Sequence, residues 1–245
     1  MSAIHPRNLL LAEFARVSPD AYEKFLQDVD QVALKRGAVL GLANTATEFV
    51  YFVESGVVSL VASTRSGQSL EVAVVSREGV AGIADALGQH PFPYGWIVQL
   101  PGAALRVPRR VVHDHVLSCS DLHQLLMAYS QLVMHQLAQS AICNRFHTSV
   151  QRLARWLVLT AEHAESQRLE LTHEYLAQMV GAPRSAVTAA ASALRKDGAI
   201  DYSRGVVTIC SERRLRRAAC ECYEALSTIG RDRESTRSSV ALLVR

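Results

Sequence analysis

The chain has 245 residues, of which 49% are hydrophobic and 20% charged. This composition is typical of a soluble globular protein and excludes the fibrous and disordered classes. Its net charge of +3 is unevenly distributed, because residues 150–245 hold 15 Lys/Arg and 11 Asp/Glu, whereas residues 1–149 hold 11 and 12. The positive C-terminal part favours an anionic partner there.

Residues 1–14 contain only a short apolar run and no small-residue cleavage pattern, so we expect no signal peptide and a cytoplasmic protein. The cysteines are odd in number and form no Cys-x-x-Cys pair, which predicts reduced buried thiols and no metal site. We also expect no cofactor. They stand at positions 119, 143, 210, 220 and 222. Cys119 and Cys143 flank a long uncharged segment and are the candidates for a thiol switch.

The first half of the chain predicts a short helix over residues 19–34, followed by an all-β unit over residues 36–108. Short β-prone runs at 48–54, 57–63, 70–75 and 96–100 are separated by glycine and proline pairs. A jelly-roll barrel is the closure that we expect for such strands.

Residues 122–144 carry no formal charge over 23 positions, yet they contain too many Gln and His side chains to cross a bilayer. The leucines, valine and tyrosine of this segment repeat at helical spacing over a broad face. A helix that is apolar on more than one side needs two neighbours, namely its own domain and a second copy of itself. The segment therefore predicts a homodimer and no membrane partner.

Residues 171–194 predict two short helices joined by a glycine turn, the geometry that places a helix in the DNA major groove. Thr172 is a good N-cap, Gly181 tolerates the sharp turn, and Pro183 suits the start of the second helix. The second helix has an apolar stripe for packing, formed by Val187, Ala190, Ala191 and Leu194.

The opposite face of the second helix supplies the predicted base contacts, which are Arg184, Ser185, Thr188 and Ala189. An arginine in the first turn can donate two hydrogen bonds to guanine, while hydroxyl and methyl groups can contact neighbouring bases. A helical hairpin with a solvated outer face is the alternative.

Residues 199–209 alternate like two strands around a Ser-Arg-Gly turn, so a wing follows the second helix. The predicted phosphate contacts are Thr172, His173, Lys196, Ser203 and Arg204. Such contacts add affinity that depends on salt and not on sequence. Four arginines between 213 and 217 fit the solvated face of a terminal helix over 213–226 better than a second DNA contact.

The chain resembles bacterial transcription regulators of the Crp/Fnr type in three segments, residues 49–61, 77–82 and 171–187, which follow the family's order. The resemblance implies an α+β protein with a cyclic-nucleotide-binding-like jelly-roll sensor domain (1–118), a dimerisation helix (119–146), a winged helix-turn-helix domain (147–226) and a tail (227–245). It also implies double-stranded DNA and RNA polymerase as partners, and no catalytic residues.

Comparison with family members that bind a cyclic nucleotide predicts that the sensor domain of this chain does not bind one. Family members that bind one use a Gly-Glu pair for the ribose and a nearby arginine for the phosphate. This chain has Gly82-Ile83-Ala84 and no arginine in residues 89–95. An iron–sulfur cluster is not expected because the first cysteine is Cys119, and His5 and His90 are weak signals for haem.

Two rival functions remain open at this point. His113-Asp114-His115 is similar to the metal-binding His-x-His of cupin enzymes, in which alternate residues of a strand point at one metal, but no glutamate follows it. The other rival is a sensor with a degenerate DNA-binding domain that acts through protein partners. The expected function is a sequence-specific DNA-binding regulator without enzymatic activity.

Overall fold

The computed structural model describes residues 6–88 and 90–227. These residues form two compact units. One comprises the residues up to Ala62 with Ala73–Met134, and the other comprises Ser63–Val72 with the residues from His135 onward. The expected tail lies outside the described residues except for residue 227, and so does His5.

The element order begins with two helices, a β-sheet and a third short helix, and then reaches a long helix. The elements are α1 (Leu9–Val17), α2 (Pro19–Phe25), a 3-10 turn (Leu26–Asp28), β1 (Asp30–Leu34), β2 (Val39–Gly41), β3 (Phe49–Ser63), β4 (Ser69–Val75), β5 (Val80–Ala81), α3 (Ile83–Leu87), β6 (Gly95–Pro108), α4 (Arg109–Ser118) and α5 (Ser120–Phe146). In the part of the chain described, no helix is both long and apolar enough to cross a bilayer.

The predicted helix over residues 19–34 is wrong at its C-terminal end. Residues Asp30–Leu34 form β1, which runs antiparallel to β6 from Asp30 opposite Arg106 to Leu34 opposite Gly102. The hydrogen bonds to β6 decide the conformation here, because this partner lies about seventy residues further along the chain and no local pattern announces it.

The larger sheet has the strand order β1-β6-β3-β4, with β2 paired to β6 and β5 paired to β3. The long strands β3 and β6 are antiparallel, and their register shifts between Val53 and Val58. Gly56 lies there at a φ of +80°, and a Cβ on Gly102 would approach the carbonyl oxygen of Ser55 to 2.1 Å. Glycines therefore allow the two backbones to come close where the strands bend.

The core of this unit contains a chain of edge-to-face aromatic rings. Phe25 contacts Phe14 at 5.9 Å and Phe52 at 5.7 Å between ring centroids, and all three are fully buried. Leu122, Leu126 and Tyr129 of α5 belong to the same cluster. One face of the long helix is thereby buried, as its apolar pattern predicts.

The second unit is helical with a small antiparallel sheet. Its elements are α6 (Ser149–Ala164), β7 (Arg168–Glu170), α7 (His173–Val180), α8 (Arg184–Lys196), β8 (Ile200–Ser203), β9 (Val206–Ile209) and α9 (Glu212–Ala218), with the strand order β7-β9-β8. Two short helices followed by a β-hairpin confirm the predicted winged helix-turn-helix and the α+β fold class.

The predicted terminal helix over 213–226 is interrupted. The helix α9 ends at Ala218, and Ala219 is extended, with a φ of −71° and a ψ of 155°. The next side chain, that of Cys220, is buried against Cys143 and Cys222. The break lets the chain turn this cysteine inward.

Asn8 is a buried polar residue that joins the N-terminal helix to the sheet. Its side-chain Nδ2 donates to the carbonyl oxygens of Val53 and Gly79, both at 2.8 Å, and its Oδ1 accepts from the N–H of Leu11 at 3.0 Å. The residue is the N-cap of α1 and has no exposed surface. Every hydrogen-bonding group of the amide is thus directed at backbone.

We predict that Asn8→Ala lowers the free energy of unfolding by about 3 kcal/mol, because it removes three buried hydrogen bonds, two donated to backbone carbonyl groups and one accepted from a backbone N–H. Asn8→Asp keeps the cap but loses both donors, so it also destabilises, and less so at acid pH where the carboxyl is protonated. Urea denaturation measures both. Gln124→Ala, which removes an exposed amide from α5, should change stability by less than about 0.5 kcal/mol. An Asn8→Ala variant as stable as this control would contradict the assignment.

Candidate nucleic-acid interface

The local sequence fixes both ends of the first helix of the motif. The Thr172 hydroxyl oxygen accepts from the N–H of Tyr175 at 3.1 Å and caps α7. Gly181 ends α7 in the left-handed region, with a φ of +63°. Pro183 is then the N-cap of α8. The chain therefore turns between the helices at residues that suit a turn.

The second helix divides sharply into two faces. Val187, Ala190, Ala191 and Leu194 are at most 4% exposed and pack in a core shared with α6 and α7. Arg184, Ser185, Thr188, Ala189 and Ser192 are all exposed. The side chains for which base contacts are predicted thus share one solvent-facing surface at the N-terminal end of α8.

Arg184 is the most versatile donor on this surface. Its side chain is 70% exposed, and its Nη1 lies 3.9 Å from Oε2 of Glu174, which is similarly exposed. An ion pair this long and solvated is weak, so it leaves the guanidinium able to exchange Glu174 for another acceptor.

His173 connects the two helices of the motif to the wing. Its Nδ1 lies 3.0 Å from Oγ1 of Thr188, and its ring stacks on Tyr202 of β8 with a centroid distance of 4.2 Å. The Thr188 hydroxyl also donates to the carbonyl of Arg184 at 2.9 Å. Both hydrogen bonds form together when His173 Nδ1–H donates to Thr188.

The environment of His173 makes its main-chain N–H, and not its ring, the group that can contact a phosphate. Burial, with a smaller contribution from the charge of Arg184, lowers the pKa of His173, so the ring is neutral near pH 7. Its Nε2 is buried without a hydrogen-bond partner. The group that His173 can offer to an anion is its main-chain N–H in the first turn of α7. The connecting role of the ring has no local sequence signal, because Tyr202 is distant along the chain.

The wing is a tight hairpin whose turn is occupied by Arg204 and Gly205. Both have positive φ angles, of +48° and +78°, and Ser203 pairs with Val206 across the turn. This is the two-residue turn that matches the twist of a hairpin, and Asn-Gly would fill it with less strain than Arg-Gly. Ser203 and Arg204 are exposed at the tip, and Lys196 is exposed at the C-terminal end of α8.

Several other arginines of the unit are held by intramolecular partners. Arg195 pairs with Asp201 at 2.9 Å, Arg216 pairs with Glu162 at 2.6 Å, and Arg217 pairs with Asp197 at 3.5 Å. Arg214 donates to the carbonyl of Asp197. These contacts favour a structural role for the arginine-rich helix α9 over a second DNA contact.

In the other unit, α3 carries a buried carboxylate that sequence reasoning missed. Asp85 is 3% exposed, and its two oxygens accept from the N–H groups of Thr47 at 3.2 Å and Phe92 at 2.8 Å. Gly82 precedes α3 with a φ of +85°. This carboxylate joins α3 to the loops at Thr47 and Phe92.

The His-x-His sequence of the cupin alternative does not lie on a strand. His113 and His115 belong to α4, where Nδ1 of His113 lies 2.9 Å from the carbonyl oxygen of Ala86 and the ring of His115 packs edge-on to Phe25. Residues two apart on a helix do not face the same way. The geometry on which the metal-enzyme alternative depends is therefore missing at this pair.

Two family models match the chain and together cover most of it. Residues 31–117 match the cyclic nucleotide-binding domain, and residues 151–218 match the Crp-like helix-turn-helix domain. No curated protein sequence matches the chain significantly.

Solved structures show the same fold at low sequence identity. A transcriptional regulator of the Crp/Fnr family from Eubacterium rectale is 14% identical, with a TM-score of 0.71, over 84% of this chain and 96% of that one. FixK2 from Bradyrhizobium japonicum is 15% identical, with a TM-score of 0.65, over 78% and 98%. The c-di-GMP responsive global regulator CLP from Xanthomonas campestris is 14% identical, with a TM-score of 0.66, over 79% and 100%.

We predict that an NMR titration gives His173 a pKa below the ordinary value of about 6.5. Because the unfolded chain binds the proton more readily, His173 makes the unit less stable as the pH falls through that value, until the folded ring is protonated too. Arg184→Ala should raise the pKa of His173 by removing a nearby positive charge, whereas Arg204→Ala should leave it unchanged. A pKa at or above the unfolded value would show that the ring is not desolvated.

Proposed function

Because this chain belongs to the Crp/Fnr type of DNA-binding transcription regulators, we propose that it reads a specific DNA sequence with the exposed face of α8 and binds as a homodimer. The observation that carries the proposal is the division of α8, which buries its apolar residues and leaves Arg184, Ser185, Thr188 and Ala189 in solvent. In helix-turn-helix proteins, the N-terminal residues of the second helix contact base edges.

The proposed base contacts follow from the chemistry of these side chains. Arg184 donates two hydrogen bonds to the O6 and N7 atoms of a guanine, and Ala189 packs against a thymine methyl group. Ser185 has a free choice of donor or acceptor. Thr188 already donates within the helix, so it offers a lone pair or its methyl group. The family's best-known members carry a glutamate and a second arginine where this chain has Ser185 and Ala189, so we expect a different target sequence.

The proposed phosphate contacts lie around this surface. Lys196 and Arg204 supply positive charge, Thr172 and Ser203 supply hydroxyl groups, and His173 supplies its main-chain N–H. Contacts of this kind orient the protein on the duplex and contribute the same affinity at every sequence.

The exposed face of α5 supports the homodimer. Met127, Met134 and Ile142 are 47%, 60% and 46% exposed, and Ala138 is exposed between the last two. Met134, Ala138 and Ile142 follow Met127 by seven, eleven and fifteen residues. These spacings are close to whole numbers of helical turns, so the four side chains form one apolar stripe. A second copy of the same helix would cover the stripe with a matching surface, and a two-fold dimer fits an inverted repeat with half-sites about one helical turn apart.

We further propose that the sensor domain does not respond to cyclic nucleotides, since it lacks the ribose glutamate and the phosphate arginine at the matching positions. A location in the cytoplasm, RNA polymerase as a partner and the lack of catalytic activity complete the proposal. The rival, a degenerate DNA-binding domain that acts through proteins, makes the opposite prediction for duplex binding.

We predict that Arg184→Ala weakens binding to the selected target by about 1–3 kcal/mol and relaxes discrimination at one base pair in each half-site. Targets are first selected from a random duplex pool, and affinities are then measured for single-base variants. Arg204→Asn is the matched control, because it also removes one exposed guanidinium. It should weaken binding by the same factor at every sequence while stabilising the wing turn.

If Arg184→Ala loses affinity equally for every sequence, Arg184 is a phosphate contact. If no target sequence can be selected from the pool, the alternative of a degenerate DNA-binding domain is favoured.

In the same titrations, we predict that millimolar cyclic AMP leaves the DNA affinity of the unmodified protein unchanged. An increase of about tenfold would contradict the proposed insensitivity.

We predict that Met134→Glu converts the dimer into a monomer in analytical ultracentrifugation, because the charge would be buried without a partner in the α5 contact. Leu42→Glu introduces the same charge at a leucine that is 63% exposed after β2, and it should leave the dimer intact. A dimer that persists in both Met134→Glu and Ile142→Glu would place the contact elsewhere.

A further inference from the structure

Four potential metal ligands come together where the long helix ends and where the chain leaves α9. Cys143 and His147 are one helical turn apart, and Cys220 and Cys222 follow α9. The three sulfur atoms and a ring nitrogen of His147 all lie within 4.8 Å of one another, and the cysteines are buried. None of these residues belongs to the DNA-binding surface.

Two of the six separations between the ligand atoms are close to the edges of a tetrahedron around a zinc ion, and the others are at most 4.8 Å. With Zn–S near 2.3 Å and Zn–N near 2.0–2.1 Å, tetrahedral geometry requires S···S of about 3.8 Å and S···N of about 3.5 Å. Sγ of Cys143 lies 3.6 Å from Sγ of Cys220, and Sγ of Cys222 lies 3.4 Å from Nδ1 of His147. The ligand atoms are thus close enough for one ion to contact all four after small side-chain adjustments.

The groups around these four residues are those that orient ligands in metal sites. Oε1 of Glu221 lies 3.1 Å from Nε2 of His147, which directs Nδ1 of the ring toward the sulfur atoms. Nε2 of Gln139 donates to Sγ of Cys222 at 2.9 Å. A carboxylate on the far nitrogen of a ligating histidine and a hydrogen bond to a thiolate are both regular features of zinc sites.

We propose that Cys143, His147, Cys220 and Cys222 bind one Zn²⁺ ion in a structural site. Three thiolates and one imidazole are a ligand set that zinc takes in closed tetrahedral sites, and soft sulfur ligands disfavour Mg²⁺ and Ca²⁺. On binding, each thiol releases its proton to solvent as its sulfur coordinates the metal.

The site would join the two ends of the DNA-binding unit. The elements α6 to α9 all lie between His147 and Cys220 in the chain, so a metal bound by both pairs closes a loop that contains the complete winged helix-turn-helix. Closing such a loop restricts the unfolded chain and therefore stabilises the folded unit. Metal binding by these four residues is independent of the proposed DNA contacts.

Sequence reasoning predicted no metal here because neither pair has the Cys-x-x-Cys spacing. The signals were present in another form. Cys143 and His147 are four residues apart and thus share one helical face, and Cys220-x-Cys222 is a short chelating pair. What the sequence could not show is that the two pairs meet, because they are separated by more than seventy residues.

The test begins with the reduced full-length chain after chelator treatment and removal of the chelator, titrated with Co²⁺ alone. We expect one equivalent to produce the thiolate-to-metal absorption and the strong visible bands of tetrahedral sulfur coordination, and Zn²⁺ to displace it. The thermal midpoint should rise with either metal, since the metal binds only the folded site. No variant is required for this arm.

Cys220→Ser and Cys222→Ser should lose the spectrum, whereas Cys210→Ser, which removes an exposed cysteine outside the cluster, should keep it. Glu221→Gln should weaken zinc affinity by about tenfold or more, and Glu224→Gln, a nearby exposed carboxylate, should not. Circular dichroism checks that each variant is folded.

A reduced, folded chain that gives no tetrahedral Co²⁺ spectrum would overturn the proposal. So would equal spectra in Cys220→Ser and in the unmodified chain. A disulfide between Cys143 and Cys220, found by mass spectrometry in a metal-free chain that does not bind Co²⁺ after reduction, would replace the zinc site with a thiol pair. Because no DNA is used, these outcomes are independent of the proposed function.

Discussion

The proposed DNA-binding surface depends on how α8 is packed. Val187 and Leu194 are buried at the two ends of one face, with Ala190 and Ala191 between them. Burying a valine or leucine side chain contributes about 1.5–3 kcal/mol, and the alanines leave room for α6 and α7 to approach closely. Because a helix has a fixed periodicity, burial of this face orients the polar face outward. The same four residues therefore stabilise the unit and orient Arg184.

The parts around α8 maintain this orientation in different ways. The neutral ring of His173 joins α7, α8 and the wing through one hydrogen bond and one stacking contact. The wing turn contains a strained arginine at its exposed tip, a position where a residue that tolerates positive φ would make the turn more stable. The proposed phosphate contact gives a reason for an arginine at this position, although it makes the turn less stable. The zinc site that we propose lies at the far ends of the same segment and would act on its stability alone.

Prediction from sequence succeeded where the signal was local. The N-cap Thr172, the turn at Gly181 and the buried stripe of α8 each follow from residues within a few positions of one another, and the winged helix-turn-helix was predicted from them. It failed where distant pairing decides the outcome. Residues 30–34 form a strand because β6 pairs with them, and Asn8 is buried because its amide is bonded to the backbone of β3 and of the connection between β4 and β5. The cysteine and histidine cluster was missed for the same reason.

Equilibrium binding of the full-length protein to random duplex DNA over a series of salt concentrations tests the central claim most directly. Two positive phosphate contacts in each subunit, at Lys196 and Arg204, predict a logarithmic salt dependence with a slope of about −4 for the dimer, or steeper if Arg184 also contacts phosphate nonspecifically. Binding that is absent at low salt, or that does not change as salt is added, would contradict the assignment of this surface to DNA.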